Sequence, residues 1–197
     1  MAKSGKMVKN ALGRMVPTEV NGRPAIPFAG VGQHRPEGRK AAPPIRTCAD
    51  YPEDGDKRTA DLKTALRKAG IRDGMTISTH HHFRNGDLVA VPLFRAAAEL
   101  GVKGLTWYPS ASFPCHQPLL EFLENGVIDH IEGSMNGPLG VFTSAGKMRG
   151  LGVLRSHGGR YQAVQDGEVK IDIAVIAAPC ADPFGNATGD RGPAACG

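Results

Sequence analysis

The chain has 197 residues, 41% of them hydrophobic and 22% charged, with a formal net charge of +5 at pH 7. This length buries one good core or two small ones, and the mixture is that of a globular domain, which argues against disordered and membrane-spanning classes. No run approaches the roughly 20 apolar residues of a spanning helix, and the leading "MAKSGKMVKNALGRMV" lacks the apolar stretch of a secretory signal, so a cytoplasmic protein is expected.

Residues 1–55 read as an extended basic arm. Prolines and glycines alternate through it, from Gly13 and Pro17 to Pro44 and Pro52, removing backbone donors and adding freedom, so long regular elements are not expected. Residues 1–50 hold nine Lys or Arg against three acidic residues, a balance of +6, which leaves 15 against 16, or −1, for the rest. All the excess charge is therefore in the arm, where it suits an acidic partner or a phosphate-bearing ligand. Aromatic interleaving and a recognisable nucleic-acid module are both missing, so nucleic acid is not the expected partner.

Residues 56–197 read as one α/β domain. "TADLKTALRKAG" places Leu62, Ala65, Leu66 and Ala69 at helical spacing before a glycine stop, and "MTIST" follows as a short strand. The alternation repeats: a helix over 87–101 that Pro92 delays or kinks, a strand over 104–110, a helix over 117–126, a strand over 127–132. A less regular segment over 137–150 precedes a strand over 151–156, and "IDIAVIAAP" closes the series as the most apolar strand, read as buried. Strands and helices alternating in this way imply a largely parallel sheet with flanking helices.

In such sheets ligands bind outside the carboxyl ends of the strands. Five segments should stand there: "HHHFRNGD", "PSASFPCH", "EGSMNGPLG", "HGGR" and "PCADPFGNATGDRG". For the histidine run, metal is a poor fit. Neighbours on an extended chain face opposite ways, so His80 and His82 can share a site that His81 cannot, and His116, His130 and His157 are scattered. Anion binding fits better: His81 or His82, Arg84 and backbone N–H groups near Gly86 supply donors, and "SHGGR", with Ser156, His157, Gly158, Gly159 and Arg160, offers a second set. The alternative for each loop taken alone is a satisfied structural turn. Cys48, Cys115, Cys180 and Cys196 show no C-x-x-C pair and read as reduced thiols. Glu124, in "LENG", reads as a helix end rather than a catalytic carboxylate.

The segment with Asp182, Gly185 and Asn186 in a D-x-x-G-N pattern resembles that of coenzyme-A transferase domains. Together with "NALGRMVPTEVNGRPAIPFAG", "THHHFRNGD" and "RSHGGR", it makes the chain resemble the citrate lyase alpha subunit family, from near residue 7 to the end. The resemblance implies a domain of the coenzyme-A transferase and ribose-5-phosphate isomerase kind. It also implies transfer of the acetyl group from an acyl-carrier thioester, citrate taking its place to give citryl thioester and acetate.

The implied partners are the beta subunit, the acyl-carrier (gamma) subunit and citrate, in a hetero-oligomer. No tightly bound cofactor of its own is implied, the chain acting on the coenzyme-A-derived group of the carrier or on acetyl-CoA. Citrate brings its own nucleophile, so no catalytic residue is assigned; what the reaction needs is fixed donors. On this reading His81, His82 and Arg84 take the citrate carboxylates. Ser156, His157, Gly158, Gly159 and Arg160 flank the substrate and the acyl or phosphopantetheine path, and Gly185 and Asn186 line the thioester end. Family members carry a second α/β half, so the resemblance covers the N-terminal half only. A transferase for another carboxylic acid, or an inactive half that only binds ligand or assembles with partners, are the competing expectations.

Overall fold

Residues 6–29, 56–80 and 83–192 are described by a computed structural model. The leading stretch forms two small antiparallel hairpins, β1 (Met7–Lys9) with β2 (Met15–Pro17) and β3 (Glu19–Val20) with β4 (Arg23–Pro24). The second closes through Asn21 and Gly22, both at positive φ (53° and 77°), as a two-residue hairpin turn demands. The Asn21 side chain then donates to the carbonyl of Met148 at 2.9 Å, and Arg23 pairs with Asp129 at 2.7 Å, docking this hairpin on the domain.

Helix α1 (Leu62–Lys68) starts at Asp61, whose carboxylate accepts the N–H of Thr64 at 2.7 Å, and carries Arg67 and Lys68 in its last turn, where they favour the negative helix end. Strand β5 (Thr76–Thr79) follows, then α2 (Ala90–Glu99). Pro92 lies in the first turn of α2, where its missing N–H has no helical partner to lose, so it neither kinks nor delays the helix beyond residue 90. Ala90, Leu93, Phe94 and Ala97 repeat at helical spacing and are all fully buried. Strand β6 (Leu105–Pro109), helix α3 (Leu119–Glu124) and strand β7 (Ile128–Ile131) complete the winding, and α4 (Gly137–Ser144) and α5 (His157–Gln165) precede β8 (Ile173–Val175).

The sheet runs β7-β6-β5-β8 with every pair parallel. It has the expected α/β architecture. Helices α1 to α4 bury one face in a core centred on Ile77, Trp107, Ile128 and Ile131, while the other face holds a smaller cluster of Tyr108, Ala163 and Val169 beside α5. From β5 the chain winds outward through β6 and β7, then returns to lay β8 on the other side of β5. The end of β5 is therefore the point where strand order reverses, the favoured place for a ligand in an open α/β sheet.

Three local expectations are corrected. The segment over 151–156 contributes a single parallel bridge, Val153 with Glu132, because Gly150 and Gly152 pack against His130 and Thr143 too closely for a longer pleated run of side chains. "IDIAVIAAP" is an edge strand with only three paired residues, and Ile176 beyond it is 55% exposed. "HGGR" (157–160), placed in a loop by the sequence, opens the helix His157–Gln165: Ser156 caps it, accepting the N–H of Gly159 at 3.0 Å, and this bond overrides the poor helix propensity of Gly158 and Gly159. After β8 comes a further hairpin, β9 (Cys180–Ala181) with β10 (Ala187–Thr188).

Candidate functional site

The loops leaving β5 and β6 are fastened to each other. The backbone N–H of Cys115 donates to the Asn85 side-chain oxygen at 2.9 Å, and the Cys115 thiol approaches the Arg84 carbonyl at 3.6 Å. Below them His116, fully buried, meets the Asp87 carboxylate at 2.7 Å through Nε2. The N–H of Phe113 donates to His116 Nδ1 at 2.9 Å, so Nδ1 is the acceptor and the ring proton sits on Nε2, pointing at Asp87. Burial pushes the Asp87 carboxyl up, but the bonds from His116 and the Val89 N–H outweigh it and hold the group below its ordinary value. Burial dominates at Cys115 and raises its thiol pKa, which does not suit a thiolate nucleophile.

Arg84 itself is held at φ 51°, uncommon for a residue with a side chain and a form of strain that gathers at ligand sites. Its residue is exposed, and among the described residues its guanidinium makes no ion pair. His81 and His82 lie outside the described residues. The β6 loop is also joined to the loop after β7: Ser112 Oγ accepts the N–H of Asn136 at 2.8 Å, and Gly133 stands so close to the Pro109 carbonyl that a Cβ there would be 2.3 Å from it. Three of the five expected loops thus form one interlocked edge.

The other predicted residues are placed differently. Ser156, His157 and Gly158 are exposed in the first turn of α5, with open space around Gly158, while Gly159 lies over the capping oxygen of Ser156. Arg160 lies across the Tyr108 ring, 4.6 Å from its centre, and donates to the Tyr108 carbonyl at 3.0 Å; its Nε is buried without a partner. Burial lowers its pKa from the usual guanidinium value. Asp182 closes its own hairpin, accepting from the N–H groups of Phe184 and Asn186 and from the Asn186 amide, and this hairpin is tied to Lys57 through the Pro183 carbonyl. Gly185 (φ 88°) makes that turn, with Lys57 packed beside it. Glu124 ends α3, as expected.

Sequence reading missed the Asp87–His116 pair and a charged chain at the end of β7. In that chain Arg155 bonds Glu132 at 3.1 Å and Glu168 at 3.3 Å, and His130 has Asp129 and Glu132 at its two ring nitrogens. Burial opposes a charge on His130, but the carboxylates outweigh it and raise its pKa above the ordinary 6.5. The only available signal was that these residues stand in or after neighbouring strands. An open cavity of about 470 Å³, lined by Asn21, Arg23, Asp129, Lys147 and Arg149 among others, lies at the docked β3–β4 hairpin and includes none of the interlocked loops. Among the described residues no group of three or more His, Cys, Asp or Glu is placed to hold a metal, and no helix is long and apolar enough to cross a membrane.

A parallel sheet, a reversal of strand order beside β5 and interlocked polar loops at its carboxyl edge define an open, parallel α/β domain. The family model for the citrate lyase alpha subunit matches residues 55–197, and the chain belongs to that family. It is 41% identical over 173 residues to the citrate lyase alpha chain of Klebsiella pneumoniae, covering 87% of this chain and 32% of that one. With the Escherichia coli citrate lyase alpha chain it shares 43% over 142 residues, covering 72% and 28%. The chain thus spans about a third of the length of the curated relatives it matches. A solved Streptococcus mutans structure, described as the alpha subunit of citrate lyase in complex with citrate, superposes with a TM-score of 0.70 at 37% identity, over 81% of this chain and 30% of that one.

Proposed function

We propose that the chain supplies the carboxylate-recognising part of an acyl-transferring enzyme of the coenzyme-A transferase class. Citrate exchanges for the acetyl group of a thioester on an acyl-carrier subunit. A citrate carboxylate oxygen adds to the thioester carbonyl and the thiolate leaves; the thiolate then attacks the citryl carbonyl and expels acetate. Neither step needs a nucleophile from the protein, only fixed donors for the carboxylates and for the developing oxyanion.

The observation that carries this reading is the exposed guanidinium of Arg84, on a backbone at positive φ, in the loop where strand order reverses. The citrate bound to the related Streptococcus mutans protein supports it. By sequence His81 and His82 belong to the same loop and are proposed as its other carboxylate donors. The exposed first turn of α5, with Ser156, His157 and Gly158, directs the positive end of a nine-residue helix outward and suits the phosphate-bearing arm of a coenzyme-A-derived group. Gly159 and Arg160 support that turn from beneath, and Gly185 and Asn186 are assigned to the thioester end. The implied partners are the carrier and the beta subunit that cleaves the citryl thioester, in the cytoplasm.

The test is Arg84→Ala in the natural protein purified with its associated subunits. Loss of a charge-assisted bond to a carboxylate should raise the KM for citrate about tenfold or more, with the KM for the acetyl thioester within about twofold of wild type. Unchanged citrate saturation would remove Arg84 from the site.

A further inference from the structure

We infer that His116 is the positioning residue of the Arg84 loop, acting through Asp87 to fix where that loop offers its carboxylate donor. The inference rests on the proposed citrate reading for its functional half and on geometry alone for the rest. Both sides of the pair are constrained. The imidazole accepts from the Phe113 N–H and stands edge-on to Trp107, with ring centres 5.3 Å apart and planes at 76°; Trp107 in turn donates to Thr79 Oγ1, at the last residue of β5, at 3.0 Å. Asp87 gives one oxygen to His116 at 2.7 Å and the other to the Val89 N–H at 2.7 Å, where α2 begins.

His116 therefore connects the end of β5, the β6 loop and the start of α2. The segment 83–87 hangs between two of these anchors, with Asn85 and the Arg84 carbonyl bonded to Cys115 as well. Apolar residues of the same volume would pack here without desolvating a carboxylate, but they would not select one register of the loop. A directional bond does. Arg84 needs that direction, because its positive φ persists only when the surroundings enforce it.

Two substitutions separate the roles of the two ring nitrogens. In His116→Gln the amide nitrogen reaches the position of Nε2 and keeps a donor for Asp87. In His116→Asn the side chain reaches only the position of Nδ1, keeping the acceptor for Phe113 and leaving the second oxygen of Asp87 without its imidazole donor. If His116→Asn does not accumulate as folded protein, Asp87→Asn, which preserves volume and one acceptor, carries the same test.

The natural protein with its associated subunits is used throughout. Without citrate, hydrogen exchange should quicken in peptides spanning 83–89, and mass-mapped alkylation of Cys115 should quicken, in His116→Asn but not in His116→Gln. Exchange in the strands 76–79 and 105–109 should stay as in wild type. With citrate, His116→Asn should raise its KM about tenfold while the thioester KM stays within about twofold, and His116→Gln should restore most of the difference.

Unchanged exchange over 83–89 in His116→Asn overturns the inference, whatever the kinetics. So does a loosened loop in an enzyme whose citrate KM does not move. A loosened loop in a protein whose wild type never responds to citrate upholds the holding role of His116 and instead defeats the citrate reading.

Discussion

The loop between β5 and α2 and the hairpin between β9 and β10 are built from nearly the same residues, Phe83, Asn85, Gly86 and Asp87 in one and Asp182, Phe184, Gly185 and Asn186 in the other. Their bonds run in opposite directions. In the hairpin, Asp182 accepts from groups two and four residues away, so the turn is complete within itself and stays exposed. In the loop, Asn85 and Asp87 reach partners 30 and 29 residues away, on the segment that leaves the neighbouring strand. The first pattern is a local turn that the backbone forms wherever it is placed. The second exists only when β5 and β6 are paired in register, and its buried member, Asp87 with His116, matters more than the exposed Asn85 bond beside it.

The largest expected effect comes from breaking the buried side. Trp107 is fully buried, packs edge-on to Phe94 and His116, and bonds Thr79. Trp107→Ala should cost about 3–5 kcal/mol by urea unfolding and should loosen residues 83–87 while leaving exchange in 182–186 unchanged. Equal loosening of both regions would show that they are not independently built.

An intermediate case is the chain of charges at the end of β7, where Arg155 reaches Glu132 and Glu168 from 23 and 13 residues away while the half-buried His130 bonds its near neighbours Asp129 and Glu132. The pKa of His130 is raised from 6.5, so its contribution is complete below that value and is lost as the pH climbs through the folded value. The pKa of Glu132 is lowered from 4.5, chiefly by its bond to His130, so its contribution is complete above that value and is lost as the pH falls through the folded one. The stability difference between wild type and His130→Gln should therefore be greatest between pH 4.5 and 6.5 and shrink as the pH rises through the raised value of His130. A difference that stays constant through that rise would mean that the network holds its shape without charge on the imidazole.

The smallest effect is expected from the self-contained turn. Asp182→Ala should speed amide exchange at Phe184 and Asn186 and leave the midpoint of global unfolding close to wild type. A large fall in that midpoint would mean that the hairpin is coupled to the sheet more strongly than its bond to Lys57 indicates.

Much of the framework was legible because it follows from periodicity. Helical spacing in "TADLKTALRKAG" and the strand-like runs over 75–79, 104–110 and 127–132 lie where α1, β5, β6 and β7 form. The clustering of polar loops at one sheet edge was legible too, since every strand of a parallel sheet points the same way. Helix α5 was not, because "HGGR" reads as a loop until the Ser156 cap is seen, and the burial of β8 was overstated because apolar composition does not distinguish a central strand from an edge. For the candidate site, Arg84 was singled out as an anion donor from its segment and stands exposed in the β5–α2 loop, and Arg160, read with "SHGGR" as part of a second donor set, lies on the Tyr108 ring.

The sequence by itself determined the class of the fold, the family and the segments that stand at the carboxyl edge, since hydrophobic period, turn chemistry and motif order are properties of the linear chain. Tertiary structure alone decided which of those segments interlock. The union of Asp87 with His116 and the tautomer of that ring depend on strand register and on burial, which place groups together that local chain geometry keeps apart.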